Sequence, residues 1–134
     1  MSFYSKAVEK ELQHIITYDS KGNLLKGERR YKLYLPPNIP ASDFWSIIVY
    51  DSLSRLIIHA VQPWPSVYST DKNLFYNIDG SVDVWFGPES VEAKEGNWVQ
   101  TIPGQQWYMI LRLYYPLESW FNKKWRPGEI EELI

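Results

Sequence analysis

The sequence predicts an all-β domain, built as two packed sheets or a closed barrel. Over most of the chain apolar residues recur with period two rather than 3.6. Roughly six to eight short runs of this kind are separated by turns rich in Gly and Pro, with almost no helix between them. Aromatic content is high: seven Trp, ten Tyr and five Phe make up 16% of the 134 residues. Such side chains fit pleated, half-buried surfaces before they indicate any ligand.

Each element has a local reason. Residues 3 to 13 are the one helix expected near the start, because Ser2 or Ser5 can cap it and Phe3, Ala7, Lys10 and Glu11 lie three and four apart. Residues 1 to 12 are accordingly read as an N-terminal extension of a single domain covering 1 to 134. From there the period becomes two. LQHIITY (12 to 18), the turn formers DSKGN and RRYKLYL (29 to 35) read as a first hairpin. The three prolines of PPNIPASD block both helix and ladder, and FWSIIVY (44 to 50) is apolar and β-branched enough for a central strand. A turn at Asp51 to Ser54 then lets RLIIHAV (55 to 61) pair back as a second hairpin. QPWPSVYSTDKN is a long loop with prolines on both sides of Trp64, the kind of segment that carries function.

The pair Asp79-Gly80 predicts a two-residue type I′ turn, since Gly adopts positive φ freely and Asp tolerates it. That turn would set Ile78 opposite Ser81 and Tyr76 opposite Asp83. GPESVEAKEGNW interrupts the pattern, and QWYMILRLYY (106 to 115) is the longest strand. Trp107, Met109, Leu111 and Leu113 take one of its faces and Tyr108, Ile110, Arg112 and Tyr114 the other. PLESWFN gives one helical turn begun by Pro116, and RPGE closes the domain.

Composition bounds the function. A formal charge of −2 supplies no basic footprint for nucleic acid. With no cysteine there is neither disulfide nor thiolate chemistry, and no zinc site built on cysteine. The start lacks a signal-type apolar region, and no window approaches the ~20 apolar residues that span a bilayer, so a soluble, cytoplasmic chain is the default expectation.

Candidate chemistry is sparse, and no metal or cofactor is expected. If Val82, Val84 and Phe86 face the core, Asp83 and Trp85 turn to a solvated face, so Asp83 reads first as an exposed or cross-strand charge. Calcium is the runner-up there, from Asn77, Asp79 and Asp83, but the full loop pattern and its distal Glu are missing. His14 and His59 lie in different strands without companions. Serines stand next to no base, and Glu92 and Glu95 are an acidic loop before they are a glycosidase pair. Arg112 is more informative, because a guanidinium in the middle of a buried-looking strand must be paired or must wall a wet cavity. Bracing by Asp51, Asp83 or Glu95 is the first reading, and binding of an anion or carboxylate the second. Trp64, Tyr68 and Trp98 either plug the ends of the fold or form a stacking platform for a sugar or another flat ligand.

In order, LYLPPNIPASDFWSIIVYD, QPWPS, NIDGSVDVWFGPE, GNWVQTIPG, WYMILRLYYPLESWF and KKWRPGEIE resemble the family named domain of unknown function 1214, from about Ile15 to Glu132. The resemblance implies a mostly bacterial family and a jelly-roll-like antiparallel β-sandwich, usually placed after a large upstream domain, domain of unknown function 1254. It implies no established activity. Asn97, Trp98, Arg112, Tyr114 and Asp83 fit its motifs as positions of interest. The leading expectation is a non-catalytic or accessory module whose end loops around Trp64, Tyr68, Asn97 and Trp98 contact a partner domain, a second copy of the chain or a small ligand. The alternative is an enzyme in which Arg112 orients an anionic substrate and Asp83 or Glu95 acts as base.

Overall fold

The computed structural model describes the backbone of residues 3–7 and residues 11–58, 66–90 and 95–133. Ten strands run in chain order: β1 Phe3–Ala7, β2 Glu11–Ile16, β3 Leu25–Lys26, β4 Tyr31–Leu35, β5 Trp45–Asp51, β6 Ser66–Tyr68, β7 Val82–Gly87, β8 Trp98–Gln100, β9 Gln106–Tyr114 and β10 Ile130–Glu132. One helical turn, α1, spans Glu118–Phe121. They form two sheets, ordered β1-β2-β9-β5-β6 with β3 also on β9, and β10-β4-β7-β8. Every pair is antiparallel except β7 with β8, which is parallel, so the second sheet is mixed. No helix among the described residues is long and apolar enough to cross a membrane.

The core lies between the sheets. Leu33, Leu35, Val82, Val84 and Phe86 of the smaller sheet and Ile47, Val49, Trp107, Met109, Leu111 and Leu113 of the larger belong to one buried apolar cluster. Alternate residues of each strand supply it, as period two requires. Aromatic contacts tie the layers together: the Trp107 ring stacks on Phe86 at 4.9 Å and meets Tyr31 edge-on at 5.6 Å.

The expected N-terminal helix is instead two strands, with Phe3 paired to Ile16 and Ala7 to Leu12. Leu12 and His14 both point inward from β2, a period-two demand that outweighs the local helical spacing. The expected first hairpin is split between sheets. The DSKGN turn does form, with both the Lys21 and Asn23 N–H groups donating to Asp19 Oδ1, and Tyr18 bridges Leu24. It returns the chain to β3, however, while β4 crosses to the other sheet and pairs with β7. The second hairpin shrinks to a single bridge, Tyr50 with Ile57, and residues 59–61 lie outside the described part.

At Asp79-Gly80 the chain turns as expected but with one more residue. Asn77 N–H donates to Ser81 O at 2.8 Å and Gly80 N–H to Asn77 O at 2.9 Å, so the loop has three residues and only Gly80, at φ 89°, is left-handed. Asn77 thereby takes the place expected for Ile78, and Tyr76 does not face Asp83.

His14 shows what burial in this core does to an ionisable group. It is 6% exposed and lies edge-on to Trp120 of α1, with ring centroids 5.2 Å apart. Burial first, and the positive charge of Arg126 second, lower its pKa from 6.5 to about 4. An unfolded chain therefore binds a proton that the folded one refuses between those two values, and stability falls as pH drops through that window. Unfolding by denaturant is expected to show a loss of about 3 kcal/mol from this residue between neutral pH and pH 4. The part lost above about pH 5, where carboxylates are still ionised, should vanish in His14→Gln.

Candidate functional site

The face of β9 turned away from the core carries Tyr108, Ile110, Arg112 and Tyr114. Pairing on both sides arranges this face in rows. Gln13, Arg112, Ser46 and Tyr68 form one row; Ile15, Ile110, Ile48 and Ser66 form the next; Tyr108 and Tyr50 lie beyond. Arg112 finds no carboxylate in its own row. Its side chain runs along the sheet past Ile110 and Ile48 to reach Tyr50, whose hydroxyl accepts from Nη1 at 2.9 Å. The guanidinium carbon sits 5.9 Å from the Tyr50 ring centre, within cation–π range. Its apolar stem shields the isoleucines, which is how a long charged side chain lies on an apolar surface.

On its other side, Arg112 Nε faces Glu11 at 3.7 Å. Glu11 also accepts from Gln13 at 3.0 Å and lies near the Tyr114 phenol. Burial first, then the neighbouring Glu11 carboxylate, push the Tyr114 phenol up. Beyond Tyr50 the Tyr108 ring stacks at 5.4 Å, and Arg55 lies 5.5 Å over Tyr108. Among the described residues the result is a tyrosine-rich face that carries the Arg112 and Arg55 guanidiniums and the Glu11 carboxylate. Arg112 side-chain exposure is 18%, and its Nη2 donors meet no acceptor among the described residues.

Arg112 is thus braced by Glu11 and Tyr50, not by Asp51 or Asp83. Asp51 is occupied at its own turn, accepting from Ser54 N–H at 2.7 Å. Arg112, Tyr114 and Tyr68 do come together, while Trp98 and Asp83 belong to the other sheet and Asn97 to the 3-10 turn Glu95–Asn97 that leads into it. Asp83 points outward from β7 toward Lys32, at 3.6 Å, and Asn77, at 3.2 Å. The two outer faces are on opposite sides of the core, so Arg112 and Asp83 do not share a substrate. Trp64, His59 and Glu92 lie outside the described residues, as does the side chain of Glu95.

The GNW segment has a structural explanation. Asn97, 1% exposed, accepts from Phe75 N–H at 2.8 Å and donates to Phe75 O at 2.9 Å and Asp83 O at 2.8 Å. It staples the loop before β7 to that strand. Gly96 lets the two backbones approach, since a Cβ there would fall 1.8 Å from Asn73 O. Trp98 lies beside Trp85 across the parallel pair and donates its indole N–H to Gly87 O at 3.0 Å.

A family model described as a protein of unknown function, DUF1214, matches residues 10–118. The chain belongs to this family. No curated protein matches this DUF1214 chain. Among solved structures, the VPA0106 protein from Vibrio parahaemolyticus is similar over 94% of this chain and 31% of its own, with 22% identity and a TM-score of 0.77. An uncharacterized protein from Burkholderia cenocepacia is similar over 98% of this chain and 34% of its own, with 15% identity and a TM-score of 0.57. At such identities the likeness shows the fold alone. The DUF1214 chain spans about a third of the length of either relative.

Sequence reasoning placed Tyr108 on the face of Arg112 but missed Glu11 and Tyr50 as its partners, and Arg55 over Tyr108. Period two within FWSIIVY already aligned Ser46, Ile48 and Tyr50, but only the long-range register with β9 brings them beside Arg112. The contrast between Asn97 and Asp83 is measurable. Asn97→Ala strands two carbonyls and an N–H and is expected to cost roughly 2–4 kcal/mol in denaturant unfolding. Asp83→Asn, which removes a half-exposed ion pair, should cost about 1 kcal/mol or less.

Proposed function

We propose that this chain is a non-catalytic docking module that receives an anionic group, a carboxylate of a partner domain, on the outer face of its larger sheet. The observation that carries the reading is Arg112. Its guanidinium is mostly covered, yet among the described residues it meets only a neutral phenol at 2.9 Å and a distant carboxylate at 3.7 Å. A buried guanidinium normally collects bidentate acceptors, and the donors left over here suit a carboxylate brought from outside. Arg55 adds a second cation on the same tyrosine pair. The length of the solved relatives supports a role beside further protein, because this fold occupies only about a third of each.

The sheets are read as a jelly-roll variant. In support, the late strand β9 inserts between the early strands β2 and β5, the kind of return that Greek-key connections make.

A hexaglutamate peptide titrated at low ionic strength is the direct probe. Saturable binding is expected, weakening as salt screens it and falling at least about tenfold in Arg112→Gln. The same affinity in the variant, or no binding to the unaltered chain, would contradict the reading.

A further inference from the structure

A second recognition feature lies at one end of the fold, where Phe44 meets Tyr114. A cleft of about 460 Å³ is lined by Asn38, Asp43, Phe44, Trp45, Ser69 and Tyr76, among others, a size within the range of small-molecule sites. Tyr76 is 43% exposed, but its ring is not a loose surface group. Its hydroxyl lies near the indole of Trp45, a core residue only 4% exposed. Its backbone is pinned on both sides, by the two Asn97 bonds to Phe75 and by the Asn77 N–H bond to Ser81 O. An aromatic face left in water on a backbone pinned at both flanking residues is preorganised, so a ligand stacking on it pays less to order it.

The cleft also holds polar groups that the fold does not use. The Asp43 carboxylate is exposed and accepts no hydrogen bond among the described residues, whereas the Asp43 N–H is engaged by Tyr114 O. Asn38, held at φ 65°, presents an exposed amide with no side-chain partner among the described residues. Ser69 Oγ accepts the Trp45 N–H at 3.0 Å and keeps its own proton to donate.

A rigid aromatic face beside one carboxylate, one amide and one hydroxyl matches a flat, uncharged molecule bearing several hydroxyls. One side of such a molecule is C–H and stacks, while its rim donates to the carboxylate. We infer that this cleft binds a saccharide, with Tyr76 as the stacking face and Asp43 accepting from a pair of hydroxyls. A dicarboxylate or phosphate is disfavoured, because the only full charge named on the cleft wall is negative.

The test is a titration of the chain with methyl glycosides of glucose, galactose, mannose and N-acetylglucosamine and with the matching disaccharides, followed by amide and indole NMR shifts. At least one is expected to shift the Trp45 indole N–H and the amides of residues 43–45 and 69–76 saturably. Asp43→Asn should weaken that binding about tenfold, the loss of a charge-assisted hydrogen bond. Tyr76→Ala should abolish it, and Tyr76→Phe, which keeps the stacking ring without its hydroxyl, should fall between. Both sites are exposed enough for the variants to fold, which unchanged amide dispersion would verify. No shift with any of these sugars, shifts confined to other residues, or binding that survives Tyr76→Ala unchanged would each overturn the inference.

Discussion

Strand β9 has to satisfy two environments at once, and the rest of the fold is arranged around that demand. It is hydrogen-bonded to β2 and β3 on one side and to β5 on the other, so it has no free edge. One face delivers Trp107, Met109, Leu111 and Leu113 to the shared core, all nearly inaccessible to water. Strict alternation then sends Arg112 to the opposite face, between residues as apolar as Ile110 and as aromatic as Tyr114. A charge so placed must reach for partners. It does so along the strand rather than across it, which is why Tyr50, two rows away, becomes its hydrogen-bond acceptor.

The two outer faces settle the same problem differently. On the smaller sheet, polar groups are consumed locally: Lys32 with Asp83, Asn77 with Asp83 and Ser81, Asn97 with backbone. On the larger sheet, among the described residues, the Glu11 carboxylate accepts from Gln13 and faces Arg112, whose second terminal nitrogen meets no acceptor. The loop preceding β7 contributes separately. Stapled by Asn97, it holds Tyr76 in a defined pose at one end of the molecule.

Much of the layering was legible in the residues. The alternation in QWYMILRLYY assigned both faces of β9 correctly, and the apolarity of FWSIIVY marked a strand interior to its sheet. The N-terminal segment was misread because spacings of three and four among Phe3, Ala7 and Glu11 are local, whereas the pairing of Leu12 with Leu113 is not. The first hairpin failed for the same reason. DSKGN specifies a turn but says nothing about which sheet receives the chain after Gly27, whose position within 1.7 Å of Ile102 O for an added Cβ shows how tightly the crossing is packed. Arg112 could be flagged from sequence as an anomaly, but its partners depend on register, which turn chemistry does not fix across the 62 residues that separate it from Tyr50. Asn97 looked like a ligand-facing residue because nothing in GNW reveals that three backbone groups wait for its amide.

The central claim, that β9 is the keystone of the structure, is tested most directly by native-state hydrogen exchange of backbone amides. The account predicts that amides from Met109 to Leu113 exchange slowest of all, opening only with global unfolding, while those of β10 open at lower free energy. Amides of β9 that exchange as fast as those of β10, with the slowest set found elsewhere, would contradict it.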